Sequence, residues 1–272
     1  MTDYRPRPED LRFLQEEVLQ LPSALRALPA FSEVGDALMT QVLEEAGKFA
    51  EAIAPLNHDD DETGRRFAMR RSLDTQRAWI DGARLLTCRT AQQLDVARHA
   101  QDAGQREKAE RWCSFMTPVL KAVRTPQAFH GASEGDSETQ AIDLLVRKVL
   151  PDAGAAFAAC LLELRDELDA AREHEADAQR RMAQLRYLGT SIALAAKADP
   201  QLPYEVAGDY LRVAMLTLLG WAWSRIERSA PVGDARWAAP AQAFRRFVLP
   251  EFEMRLGMVK RACDSAAARQ GR

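Results

Sequence analysis

PYEVAGDYLRVAMLTLLGWAWSRIERS, residues 203–229, decides the fold. Pro203 opens the segment as a proline suits a helix start, with φ already set and no N–H to satisfy. Val206, Tyr210, Leu211, Ala214, Met215, Leu218, Leu219, Ala222 and Ile226 then make the helix apolar almost all round. Such a helix is buried between other elements of the chain or against another subunit. Its longest uncharged run, VAMLTLLGWAW at 213–223, is too short to span a bilayer.

The same helical period recurs along the rest of the chain. Residues 8–20 open on Pro and acids and carry Leu11, Leu14, Val18 and Leu21 as a stripe. A helix over 33–54, between Ser32 and Pro55, has Val34, Leu38, Val42, Ala46, Phe49 and Ile53 as its apolar positions. A long helix over 67–99 sets Leu73, Ile80, Ala83, Leu86, Leu94 and Ala97 on one side. The next, over 105–124, turns Trp112, Cys113, Met116, Val119, Leu120 and Val123 inward, with Pro118 expected to kink it. From Ser137 the stripe runs through Ile142, Leu145 and Val149, is reset at Pro151-Asp152, and continues through Phe157, Cys160, Leu161, Leu164 and Leu168. The charged stretch 173–181 is expected to be an exposed helix or elbow, and a last helical pair breaks near Pro250. No segment reads as a strand, and there is no internal repeat or glycine-rich phosphate loop. The fold class expected is all-α, a long-helix bundle.

Composition narrows the function classes. Hydrophobic residues are 47% and charged residues 28%, as in ordinary globular proteins. A net charge of −3 gives no global electrostatic basis for binding nucleic acid or an anionic membrane. Cys88, Cys113, Cys160 and Cys263 are far apart, form no CxxC pair and fall in helical patterns, so a reducing, cytoplasmic setting is expected. The start, MTDYRPRPEDLRF, lacks the apolar core of a secretory signal. His58, His99, His130 and His174 are isolated, and the acidic run in LNHDDDETG at 56–64 reads as solvated rather than metal-binding. No metal is expected. Trp221 and Trp223 read as core or interface, while Arg225 and Arg228 are expected to snorkel, with anion binding as the rarer alternative.

One stretch joins a loop, acids and a helix mouth: GASEGDSETQAIDLLVRKVL, 131–150. Ser137 and Gln140 have capping-box spacing, and Asp136 suits a helix N-terminus. On that reading Glu134 is a further first-turn acid.

The same stretch resembles the segment after the catalytic loop of acyl-CoA dehydrogenases, where the family has YEGTNGIQALDLxGRKVL against EG-x4-QA-x-DLL and RKVL here. The nearest subtype is the long one with an additional C-terminal helical domain, the 3-methylmercaptopropionyl-CoA dehydrogenase type. VLEEAGKFAEAIAPLN at 42–57 is similar to that subtype's VLEEAGKFAEEVLAPLN, TPVLKA at 117–122 to its TPVAKA, and QLDVA at 93–97 also has a counterpart. The resemblance implies a 1–64 N-terminal helical segment, a bundle over 65–170 like the family's C-terminal α domain, and a helical extension over 171–272. It also implies that the β domain carrying the flavin is missing, because ETG at 62–64 passes almost directly into helix. The family's QVxGGxGY segment, which helps to hold the flavin, is reduced to FHGAS at 129–133.

By this resemblance Glu134 stands at the position of the base that removes the α-proton of the acyl thioester, and Gly135 at the following glycine, a cofactor-binding position. A base without a hydride acceptor completes no dehydrogenation. The expectation is therefore an acyl-CoA dehydrogenase-like helical protein without independent activity, Glu134 vestigial and no cofactor bound, acting as an interaction or oligomerising subunit. Two alternatives stand beside it. The chain is an FAD-dependent oxidoreductase component, active only with a full-length acyl-CoA dehydrogenase, or an internally deleted remnant. Homo-oligomers, or hetero-oligomers with a full-length relative, are the expected assemblies, with the 203–229 helix as the surface.

Overall fold

The computed structural model describes residues 8–32, 36–53, 63–124 and 134–270, without the side chains at 36–37, 47–53, 63–70, 124, 134–136 and 270. Most of the acidic 56–64 stretch and all of FHGAS thus lie outside the described residues. Helix α1 (Pro8–Phe13) runs on through a π-helical turn (Leu14–Val18), then come α2 (Leu21–Arg26) and α3 (Asp36–Ile53). The long α4 (Thr63–His99) and α5 (Ala103–Arg124) follow. Next are α6 (Glu134–Ile142), continued by a π-helical turn (Asp143–Val149), then α7 (Ala155–Asp166) and α8 (Glu173–Ala195). A single turn, α9 (Leu202–Glu205), leads into α10 (Ala207–Ser229), α11 (Ala235–Ala243) with its π-helical turn (Phe244–Val248), and α12 (Glu251–Gln270). Among the described residues there is no strand, as the periodicity predicts.

Helix α10 is the axis of the molecule. Every residue from Val213 to Ser224 is buried, and α4, α6, α8, α11 and α12 all pack on it. The enclosure is supplied by the chain itself, so α10 offers no subunit surface, contrary to the expectation above. Each large apolar side chain removed from water here contributes roughly 1.5–3 kcal/mol. One continuous core runs from Leu14 to Ala266, drawing on all three of the segments expected from the sequence.

Local chemistry sets the joints. Asp102 caps α5, accepting from the Gln105 N–H at 2.7 Å, while Arg106 donates to the Ala100 and Gln101 carbonyls at the end of α4. Two long helices with so short a link pack side by side. The Pro151-Asp152 reset is a 3-10 turn followed by left-handed Ala153 and Gly154, and the Asp152 carboxylate accepts from Gly154 and Ala156 at the start of α7. Gly82 brings α4 close to α10, where the Trp223 indole donates to the Ala78 carbonyl at 2.9 Å.

Two stripes differ from expectation. On α4, Leu86 is buried as expected, but Ile80 and Leu94 are exposed, and Ala78, Trp79 and Leu85 are buried instead. The buried face is broad because α5, α10 and α11 all lean on this helix, and it takes in Asp81. On α3, Leu38 is 50% and Val42 59% exposed, and Ala46 is exposed too. That helix packs on α1 through its flank, where Met39 and Leu43 are half-buried.

Candidate functional site

Glu134 and Gly135 already have helical backbone at the start of the described part of α6, and their side chains lie outside the described residues. Ser137 is therefore at least three residues inside the helix and exposed, so the Ser137–Gln140 capping box is not made. The cap requires a non-helical residue at the first position.

The charged stretch 173–181 is helix, one of the two forms expected of it, but it is exposed only in part. It forms the first turns of α8, and Glu175 is only 3% exposed. Glu175 accepts from the Asp169 N–H at 2.7 Å and from Arg228 at 3.1 Å. Beside it, Glu167 accepts from Arg89 at 2.7 Å and from Arg225 at 2.5 Å. Arg225 also donates to the Val18 carbonyl at 2.9 Å, and Arg228 to the Glu167 carbonyl at 3.0 Å. Neither arginine snorkels into solvent or stands free for an anion. Burial lowers the Arg225 pKa, and Glu167 opposes that shift. This network clamps the π-helical turn after α1, α4, α10 and the α7–α8 turn together; each of its charges has a partner, although the Nε–H groups of Arg89 and Arg225 are buried without one.

A second pair of buried acids, Asp10 and Asp81, faces arginines as well: Arg236 stands 3.1 Å from Asp10, and Arg84 donates to Asp81 at 3.0 Å. Burial raises the Asp81 pKa against the pull of Arg84 and Arg77. Among the described residues no group of three or more His, Cys, Asp or Glu side chains could hold a metal ion. All four thiols are unpaired and pushed toward the protonated form, chiefly by burial, Cys160 to about 11, so none is poised as a nucleophile.

The site with unspent chemistry is a cleft between α8 and α10. His174, Asp177 and Arg181 stand three and four residues apart along α8, hence on one face. Gly220, Trp223, Ser224 and Glu227 repeat that spacing on α10, and Phe244, Arg245 and Leu249 close one wall. The cleft encloses about 280 Å³ including its open mouth. Glu227 accepts from Arg245 through both oxygens, and Asp177 is held by Arg180. Arg181 makes no hydrogen bond or ion pair among the described residues, and its Nε is buried. Burial lowers its pKa, with Asp177 and Glu253 opposing through charge alone.

Nothing in the sequence singled Arg181 out, since it sat in a run of charges. The one available signal was the spacing it shares with His174 and Asp177, matched by that of the α10 face. No protein-family model matches the chain, and no curated protein matches it.

Proposed function

We propose that this chain is an acyl-CoA dehydrogenase-like helical protein without independent dehydrogenase activity, and that it works as a self-associating subunit. The family part of this reading is supported by the GASEGDSETQAIDLLVRKVL and VLEEAGKFAEAIAPLN stretches and is compatible with the all-α architecture. The subunit part is carried by α3. Leu38, Val42 and Ala46 repeat every four residues along its exposed side, and Phe49 and Ile53 extend the spacing in sequence. An apolar stripe at helical period is a seam that seeks a partner helix.

The occupant we assign is the α3 of a second copy, running antiparallel. A two-fold register that sets position 38 against position 53 of the copy also sets 42 against 49 and brings 46 near its own equivalent.

Light scattering of the purified protein across about 1–200 µM is the test, the range in which such a seam should saturate. A dimer is expected, and Leu38→Glu with Val42→Glu should give a monomer with unchanged far-UV circular dichroism. A monomer throughout, or a dimer that survives both substitutions, defeats the assignment. So does association that occurs only with a full-length acyl-CoA dehydrogenase. The absence of acyl-CoA-dependent electron-acceptor reduction by the colourless protein is the matching expectation for activity; flavin absorbance in the purified protein would overturn it.

A further inference from the structure

We propose that the α8–α10 cleft binds a small organic monocarboxylate, with the Arg181 guanidinium as its cation and Trp223, Phe244 and Leu249 as its apolar wall. Every other charge at the cleft already has a partner: Glu227 holds Arg245, and Asp177 is held by Arg180. Arg181, of the two arginines that line the cleft, is the one for which no hydrogen bond or ion pair is made among the described residues, and its Nε–H is shut off from water. A buried donor left unmade is costly, and a guanidinium is shaped to take the two oxygens of a carboxylate at once.

The surroundings choose the ligand. Arg181 is the unpaired cation here, and the carboxylates near it are Asp177 and Glu227, each tied to another arginine, and, across the α8–α12 contact, Glu253. They repel a dianion such as phosphate much more than a single carboxylate. The cleft reaches about 280 Å³ only with its open mouth counted, so the ligand is limited to a small acid, one carried on a single ring or a short branched chain. Gly220 leaves the space beside the guanidinium open, because a Cβ there would stand 3.6 Å from Arg181 Nε and Nη2. The Trp223 N–H is already given to Ala78, so the indole presents apolar edge rather than a donor.

The experiment is isothermal titration calorimetry of the full chain with sodium benzoate and, separately, inorganic phosphate. Benzoate is expected to saturate one site per chain and to bind more tightly than phosphate. Arg181→Gln should weaken benzoate by about tenfold or more, while Arg181→Lys, which keeps the charge but loses the fork, should fall between. His174→Asp, at an exposed rim position, should also weaken benzoate about threefold or more by adding an anion. That variant leaves the core intact and decides the matter should Arg181→Gln fail to fold. No saturable heat with benzoate, phosphate binding tighter than benzoate, or affinity unchanged in Arg181→Gln and His174→Asp overturns the proposal.

Discussion

The ammonium of Lys148 donates to the carbonyl of Ser114 at 2.7 Å, and that carbonyl is the one Pro118 leaves without a helical donor. In an α-helix the carbonyl of residue i accepts from the N–H of i+4, and proline has none. Helix α5 accordingly continues past Pro118 to Arg124. The same device recurs at α11, where Pro240 orphans the Arg236 carbonyl and Arg77 of α4 donates to it at 3.2 Å. Each interior proline thus becomes a tie between elements distant in sequence.

Lys148→Met should cost about 1 kcal/mol, the worth of one hydrogen bond to a partly wet carbonyl, with a few tenths more from the lost Asp143 pair. Pro118→Ala restores the native helical donor to the Ser114 carbonyl. In that background Lys148→Met should cost less than half as much. A double-mutant cycle by urea unfolding reads the coupling directly. Equal costs in both backgrounds would show that Lys148 acts only through Asp143.

Glu167→Gln should be more damaging. The side chain gathers Arg89 and Arg225, which are 24% and 19% exposed, and removing its charge leaves two cations facing each other. Breaking one partner of such a pair costs on the order of 3 kcal/mol. Lys108→Ala, which deletes a pair with Glu163 between side chains more than half exposed, should change stability by about 0.5 kcal/mol or less. Comparable losses in the two variants would mean that the inner network carries no special weight.

Much of this was legible beforehand, and the failures share a cause. The spans of α4, α5 and α10 follow from apolar spacing, because a helix needs only its own residues to declare its period. Which stripe finds a partner depends on the rest of the chain. Leu38, Val42, Ile80 and Leu94 have the right spacing and remain exposed, since no described element covers them. Charges mislead in the opposite direction. Glu175 looks solvated in sequence and is buried because Arg228, far along the chain, meets it. The cleft escaped for the same reason, since its two faces come from separate helices.

Two glycines should respond to alanine with opposite signs. At Gly82 a Cβ would stand 2.8 Å from the Leu219 side chain and 3.3 Å from Trp223 Nε1, on the buried α4–α10 seam. The clash should outweigh the gain in helix propensity and cost about 1–3 kcal/mol. Gly208 in α10 meets nothing within 4 Å, so Gly208→Ala should stabilise by about 0.5–1 kcal/mol. Thermal melts of the two variants check both signs. Stabilisation by Gly82→Ala would show that the helices are less tightly opposed than they are here.

Glu251 supplies a prediction in pH. Burial alone would raise its pKa, but Arg212 and then Arg255, through hydrogen bonds and charge, outweigh burial and hold it below the ordinary 4.5. Arg212 forks onto it at 2.9 and 2.7 Å, and Arg255 adds a bond at 3.0 Å. A carboxyl whose folded pKa is depressed stabilises the fold fully above its unfolded value. That stabilisation is lost as pH falls from 4.5 through the folded value. Glu251→Gln should therefore cost roughly 2 kcal/mol at neutral pH, as for hydrogen bonds to charged partners. The gap between the two proteins should close once the wild-type carboxyl is protonated, since a neutral acid and an amide then occupy the same place. Urea midpoints of both proteins at a series of pH values test this, because every other titrating group cancels in their difference. A gap that stays constant below 4.5 would mean that Glu251 contributes by packing and not by its charge.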